Sequence, residues 1–315
     1  MEEQSKKERR GARNDEMVYV IRGADPDVIY KSGQVFLWEQ YGPGEYLAVC
    51  GENAALLIKQ KDGTAVVPVL NGDGADEETF WAQYLDAGEE YTGYWCRECA
   101  AERAGTTRAE AIGEAIGLAQ GMRILRQDLW EAAVCFVISQ NNNMGRIRKS
   151  VTALRERLGR RCAGQDRVNG RFVTVHLMPT AQQIVDAGPL GLQGLGLGYR
   201  DRYLYQMAMH WEQISGQMAQ AQTPGERRRI LKAVSGIGDK VADCICLYGL
   251  HDLDAVPMDV WMKRITEQAF GGVFPADKKY AGYLQQILFY AAANDKAFRK
   301  RYANRDKTEK GARKQ

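Results

Sequence analysis

Lys240 and Asp259 are the side chains of this 315-residue chain best suited by type and position to covalent chemistry. A neutral lysine amine is a nucleophile that forms Schiff bases, and a nearby carboxylate stabilises positive charge developing in a transition state. Lys240 lies in Val234-Ser235-Gly236-Ile237-Gly238-Asp239-Lys240-Val241-Ala242, at the start of a helical pattern. The positive end of a helix dipole disfavours an ammonium there, and partial burial acts in the same direction. The placement therefore predicts a lowered pKa and a neutral amine. Asp259, in Val256-Pro257-Met258-Asp259-Val260-Trp261, sits at the N-cap of the next helix. A plain cap accounts for an aspartate in that position, and a charge-stabilising carboxylate is compatible with it. Gly236 and Gly238 form a Gly-x-Gly turn between two amphipathic patterns. Glycine tolerates the positive φ of a tight turn, and exposed amides beside it can hold a DNA phosphate. A turn that merely joins two helices looks the same. The lysine directly after it is what points to nucleic acid.

The elements that must position these groups fall into two zones. Residues 17–70 carry short β-type runs: Met17–Arg22, Gln34–Gln40, Tyr46–Cys50, Ala54–Lys59 and Thr64–Leu70. They are broken by SG, GPG, GEN and KDG turn signals. From about residue 76 the apolar spacing becomes helical, over 76–85, 107–120, 129–139, 144–158, 180–186, 200–215, 226–233, 239–248, 260–269 and 277–293. Asp128 is the expected N-cap of the third helix. Residues 161–175 read as a loop or a short hairpin. Sheet first and helices after predict an α+β chain rather than a βαβ repeat. The expected organisation is a disordered tail over 1–16, an N-terminal antiparallel sheet domain over 17–104, a helical domain over 105–295 and a basic tail over 296–315. That tail holds nine basic residues against two acidic ones. It reads equally as a solvated end or as a phosphate-binding arm. A net charge of +3 suits a nucleic-acid binder without requiring one. No apolar run spans a bilayer and no signal-type stretch opens the chain, so an intracellular protein is expected. Seven cysteines, an odd number, argue against a disulfide framework.

The stretch Gly236–Cys246 (GIGDKVADCIC) followed by Ala255–Trp261 (AVPMDVW) resembles the signature of the 8-oxoguanine DNA glycosylases, of the helix–hairpin–helix (HhH-GPD) superfamily. Ser32–Trp38 (SGQVFLW), Arg123–Asp128, Ser139–Ile147, Gly194–Arg200, Tyr280–Gly282 and Gln285–Phe289 are similar to further family segments, in the family's order. The resemblance implies a mostly helical glycosylase domain after the sheet. It implies that Lys240 attacks the sugar C1′ and forms a Schiff base that permits strand cleavage by β-elimination, while Asp259 stabilises the transition state. It further implies that Phe289 stacks on a flipped base, that Gln285 reads its Watson–Crick edge, and that the Gly33 carbonyl accepts the N7–H found only on oxidised guanine. Asn141, Arg146 and Arg200 resemble the residues that hold the unpaired cytosine, and Tyr199 the wedge that fills the stack. Double-stranded DNA containing 8-oxoguanine is the implied partner, and a monomer is expected.

Trp261 stands where the best-known eukaryotic members carry histidine, which puts a phosphate or proton-transfer role at that position in doubt. Met258 replaces a β-branched residue. Cys96 and Cys99 have metal-type spacing without a second pair to complete four ligands, and Cys244 and Cys246 are too few for an iron–sulfur cluster. His176, His210 and His251 show no ligand spacing and read as surface or boundary residues. No cofactor is expected to be required, and no catalytic metal; a structural monovalent or divalent cation at the hairpin carbonyls is compatible with the resemblance. The expected location is the cytoplasm, nucleoid-associated, in a bacterium and the nucleus in a eukaryote. Two alternatives stand beside this: an alkylated-purine glycosylase on the same scaffold, which usually lacks the hairpin lysine, and a non-catalytic DNA-binding module, which would need neither Lys240 nor Asp259.

Overall fold

The structure is a computed structural model that describes residues 18–74, 76–101 and 105–303. Residues 1–16, expected as a tail, lie outside the described residues. Five strands, β1 (Tyr19–Arg22), β2 (Glu39–Gly42), β3 (Glu45–Cys50), β4 (Asn53–Gln60) and β5 (Gly63–Asn71), form an antiparallel sheet in the order β1-β5-β4-β3-β2. The run Tyr46-Leu47-Ala48-Val49-Cys50 is apolar throughout because both sheet faces are covered. Leu47 and Val49 join the helical core, while Tyr46, Ala48 and Cys50 face a smaller cluster around Trp38, Trp81 and Tyr84.

One expected strand is not a strand. Gln34–Trp38 is irregular, and only Glu39–Gly42 pairs. Its peptide groups are met by side chains instead of a neighbouring strand. Gln127 Nε2 donates to the Gln34 carbonyl at 2.8 Å, and Arg155 donates to the Leu37 carbonyl at 3.1 Å. A helix precedes this segment, α1 (Pro26–Lys31), which periodicity did not reveal although Asp25 caps it and Pro26 opens it.

The helical region runs α2 (Glu77–Tyr84), α3 (Tyr91–Ala101), α4 (Thr107–Leu118), α5 (Leu129–Ile138) and α6 (Met144–Leu158). A hairpin of β6 (Arg161–Gln165) and β7 (Phe172–His176) follows, settling the loop-or-hairpin question for 161–175. Then come α7 (Ala181–Gly191), α8 (Arg200–Met209), α9 (Trp211–Gln220), α10 (Pro224–Lys232), α11 (Asp239–Gly249), α12 (Val260–Phe270), α13 (Ala281–Asn294) and α14 (Lys296–Tyr302). The expected helix 200–215 is two helices meeting at His210, and 277–280 precedes its helix rather than opening it. α3 was missed. The first residues of the expected basic tail form α14, whose Phe298 and Tyr302 are buried. Its amphipathic spacing was masked by the basic residues between. The remainder, 304–315, lies outside the described residues. Among the described residues no helix is long and apolar enough to cross a membrane.

Asp128 caps α5 as expected, accepting from Glu131 N at 3.0 Å. Glu131 is itself buried and accepts from Gly51 N at 3.0 Å, tying the β3–β4 turn to α5. Burial, aided by Asp128, pushes its carboxyl up to about 8. The folded state thus keeps a proton that the unfolded state loses, so stability is full below the ordinary glutamate range and falls as pH rises toward 8. Glu131→Gln is expected to raise the Tm at pH 8 and to flatten its decline between pH 5 and pH 8. Thermal unfolding across that range checks this, and a variant whose pH dependence matches the wild type contradicts it.

Candidate active site

The turn between α10 and α11 is a compact hairpin. Ile237 N donates to the Val234 carbonyl at 3.0 Å, and Arg228 and Lys232 of α10 bind Asp239 and Asp243 of α11. Gly236 has φ +87°, and a Cβ there would lie 2.4 Å from the Tyr203 ring of α8. Gly238 differs from expectation. It is extended, so no positive φ requires glycine, and a Cβ would meet nothing within 4 Å. It is the N-cap of α11 and supplies no side-chain cap, which leaves first-turn amides available to an anion.

Lys240 follows in the first turn of α11, half-buried, its Nζ 5.7 Å from the Phe136 ring centre. Phe136 stacks on Tyr248 at 5.2 Å. The Tyr248 hydroxyl donates to Gln286, whose Nε2 donates to the Ser32 carbonyl at 2.8 Å. Contacts therefore run from the floor beneath Lys240 to the loop holding Gly33. That loop is fixed by its own polar side chains: the Ser32 hydroxyl donates to the Ile29 carbonyl, and Gln34 Nε2 donates to the Ser32 hydroxyl and to the Arg123 carbonyl. Gly33 sits at φ +76°, where a Cβ would be 3.3 Å from Met144 and 3.4 Å from Phe289. Asp259 caps α12, its Oδ1 accepting from Met262 N at 2.8 Å.

Gly33, Lys240, Asp259, Gln285 and Phe289, five of the expected site residues, line one cavity of about 40 Å³ with Phe136, Cys244 and Tyr248. Gln285 is buried, and its Oε1 has no hydrogen-bond partner. An unpaired buried acceptor costs about 1–3 kcal/mol, which a ligand donor can recover. The cavity shares Gly33, Phe136, Lys240, Asp259 and Phe289 with a cleft of about 640 Å³ that Asn141, Arg146 and Trp261 also line.

The opposite-base set is brought together only in part. Asn143 takes the helix-cap role, accepting from Arg146 N at 3.0 Å, so Asn141 is free of it and stands exposed at φ +44°. Arg146 is exposed on the cleft. Arg200 departs from expectation: it is buried, and its guanidinium donates to the carbonyls of Gln140, Asn141 and Leu197. Three inward carbonyls outcompete solvent for its fork. It holds the Asn141 backbone and lies over the Tyr199 ring, its carbon 4.6 Å from the centroid. Tyr199 is exposed and stands edge-on to Tyr203, the residue packed against Gly236.

Comparisons with known proteins converge. The family model for the 8-oxoguanine DNA glycosylase N-terminal domain matches residues 22–133. The chain is 32% identical over 167 residues to the N-glycosylase/DNA lyase of Saccharomyces cerevisiae, covering 48% of this chain and 42% of that one. It is 24% identical over 288 residues to the N-glycosylase/DNA lyase OGG1 of Arabidopsis thaliana, covering 83% of this chain and 75% of that one. Among solved structures it matches MBOgg1 in complex with a low-affinity DNA ligand, with TM-score 0.72, 27% identity and coverage of 87% and 94%. The chain is thus similar to the 8-oxoguanine DNA glycosylases, by the family model over residues 22–133 and by fold over most of its length. The matched stretch is less than half the length of the yeast relative. Both the α+β class and the sheet-then-helix order are those of the structure.

Cys244 is the site residue that sequence reasoning missed. It is buried one helical turn beyond Lys240 and lines the same cavity. The i, i+4 spacing on α11 was the available signal; counting the cysteine only as a cluster ligand hid it. Cys244 also reverses an expectation. The Lys240 ammonium is raised above the ordinary lysine range, first by Cys244 and then by Asp259, against burial. Lys240 must therefore shed a proton before it can attack. Cys244→Ala removes the largest of these influences. The rise of the Lys240-dependent rate with pH is expected to move to lower pH, measured as borohydride trapping against pH; a shift to higher pH contradicts the assignment. None of the three histidines lines the cavity. His210 is exposed, and His176 and His251 are half-buried.

Proposed function

We propose that the chain is a bifunctional DNA glycosylase and abasic-site lyase that excises 8-oxoguanine from duplex DNA. The observation that carries this is the single cavity ringed by Lys240, Asp259, Gly33, Gln285 and Phe289, with the Gln285 acceptor unpaired. Guanine's Watson–Crick edge offers donors at N1 and the 2-amino group, which suit that acceptor. The Gly33 carbonyl would accept the N7–H of the oxidised base and repel the N7 lone pair of guanine. The cavity is too small for a purine as it stands, so entry of a flipped base displaces side chains of its wall.

In the reaction the neutral Lys240 amine attacks C1′, the bond from C1′ to N9 breaks, and the base leaves with the electron pair and takes up a proton. Asp259 stabilises the positive charge on the sugar as that bond lengthens. Ring opening gives the Schiff base between Lys240 and C1′. Loss of a C2′ proton then expels the 3′ phosphate by β-elimination. Asn141 and Arg146 are the groups placed to hold the estranged cytosine at the cleft. Arg200 positions Asn141, and reaches the base itself only by giving up a carbonyl. Tyr199 is the wedge, and the amides after Gly238 hold a phosphate. No step needs a metal or cofactor. Any structural cation would be held by backbone carbonyls of the hairpin, because among the described residues no cluster of His, Cys, Asp and Glu is arranged for a metal. The enzyme would act as a monomer wherever the cell keeps its DNA. Base release from duplexes carrying 8-oxoguanine, guanine or 7-methylguanine opposite cytosine tests the substrate. Selective release of 8-oxoguanine is expected. Preferential release of 7-methylguanine supports the alkylated-purine alternative, and binding without release of any base supports the non-catalytic one.

A further inference from the structure

One wall of the lesion cavity is built from three stacked groups on three helices. Phe289 of α13 forms the wall itself, 3.4 Å from where a Gly33 Cβ would stand. Behind it lies Trp261 of α12, with ring centres 6.0 Å apart and planes at 35°. Behind Trp261 lies Arg299 of α14, its guanidinium carbon 4.9 Å from the indole centroid. Arg299 is anchored where it stands: Nε donates to the Ala292 carbonyl and Nη2 to the Ala293 carbonyl, both at 2.6 Å, at the end of the helix that carries Phe289. Phe298 and Tyr302, buried on either side of it in sequence, fix α14 against the core.

We infer that Arg299 and Trp261 are positioning residues for lesion recognition: the C-terminal helix α14 acts through the indole to set the stacking face of Phe289. The inference rests on the proposed excision of a flipped base. Two features carry it. Trp261 lines the open cleft, so without a backing group its ring and that of Phe289 can turn into the cleft. The cavity must also yield to admit a purine and then close on it, so the rest position of Phe289 has to be restored by something behind it. A guanidinium held by two carbonyls over an indole face is a directional restoring contact. It also gives the aromatic Trp261 a use that a histidine's proton chemistry would not supply.

Lys240 chemistry on a site that has already lost its base needs no stacking face, which separates positioning from folding. Single-turnover release of 8-oxoguanine and borohydride trapping on a preformed abasic duplex are measured side by side. Arg299→Leu is expected to slow base release about fivefold, the scale of one lost cation–π contact, and to leave abasic trapping unchanged. Arg299→Lys, which keeps a cation and a donor, is expected to restore most of the release rate. Trp261→Ala is expected to slow base release at least as much as Arg299→Leu. Equal loss of both readouts, an Arg299→Leu release rate equal to wild type, or failure of Arg299→Lys to recover overturns the inference alone. A wild type that traps on abasic DNA but releases no 8-oxoguanine overturns the substrate assignment and the inference with it.

Discussion

Lys240→Gln is expected to abolish the borohydride adduct and strand cleavage, and to slow base release by roughly three orders of magnitude or more. Glutamine has nearly the reach of lysine but no nucleophilic amine. The Phe136 ring lies below Lys240 and Cys244 one turn along α11, and Cys244 and Asp259 favour its charged form. Removing the charge relieves the helix dipole by about 0.3 kcal/mol but gives up the contribution of Cys244 and Asp259, which hold the ammonium in the folded state. The variant should therefore fold, show an unchanged or slightly lower Tm, and still bind an 8-oxoguanine duplex. Loss of chemistry with retained binding assigns the amine to the reaction. Residual adduct formation would mean that another amine reaches C1′.

The second large effect separates the two roles of Asp259. Asparagine is as good an N-cap as aspartate, so Asp259→Asn keeps the bond to Met262 N and should change the Tm little. It lacks the charge that stabilises a cationic sugar, so base release should fall by about 10² to 10³. Ground-state effects run the other way. Asp259 is one of the groups that raise Lys240, and its neutralisation leaves more free amine. A fall in rate cannot then come from a more protonated lysine. Asp259→Ala should lose the same rate and in addition about 1 kcal/mol of stability from the missing cap. Single-turnover kinetics and thermal unfolding on both variants check this. A wild-type rate in Asp259→Asn would reduce the residue to a cap.

The pattern of residues made much of this legible. The hairpin, the cap at Asp259 and the turn from sheet to helix follow from local signals: glycines in a turn, an aspartate before a helix, alternation giving way to helical spacing. What escaped depended on distant partners. Gln34–Trp38 has the composition of a strand. Its peptides instead bond Gln127 and Arg155, far along the chain, and that irregularity sets Gly33 in its place. The Lys240 expectation erred for the same reason. The dipole and burial were visible, but Cys244 acts only once α11 has stacked one turn on the next. Arg200 was expected to face DNA because of its neighbours in sequence, yet the carbonyls of Gln140 and Asn141 draw it inward. α14 was hidden because its basic residues resemble a solvated end, while Phe298 and Tyr302 between them are core.

Lys240 as the Schiff-base nucleophile is the centre of the account, and peptide mapping of the trapped complex tests it most directly. Wild-type protein is incubated with an 8-oxoguanine duplex, reduced with borohydride and digested, and the peptide carrying the sugar remnant is sequenced by mass spectrometry. The account predicts the remnant on Lys240 within Gly236–Cys246, and no trapped complex from Lys240→Gln. A remnant on any other lysine, or release of 8-oxoguanine with no trappable intermediate, would contradict it.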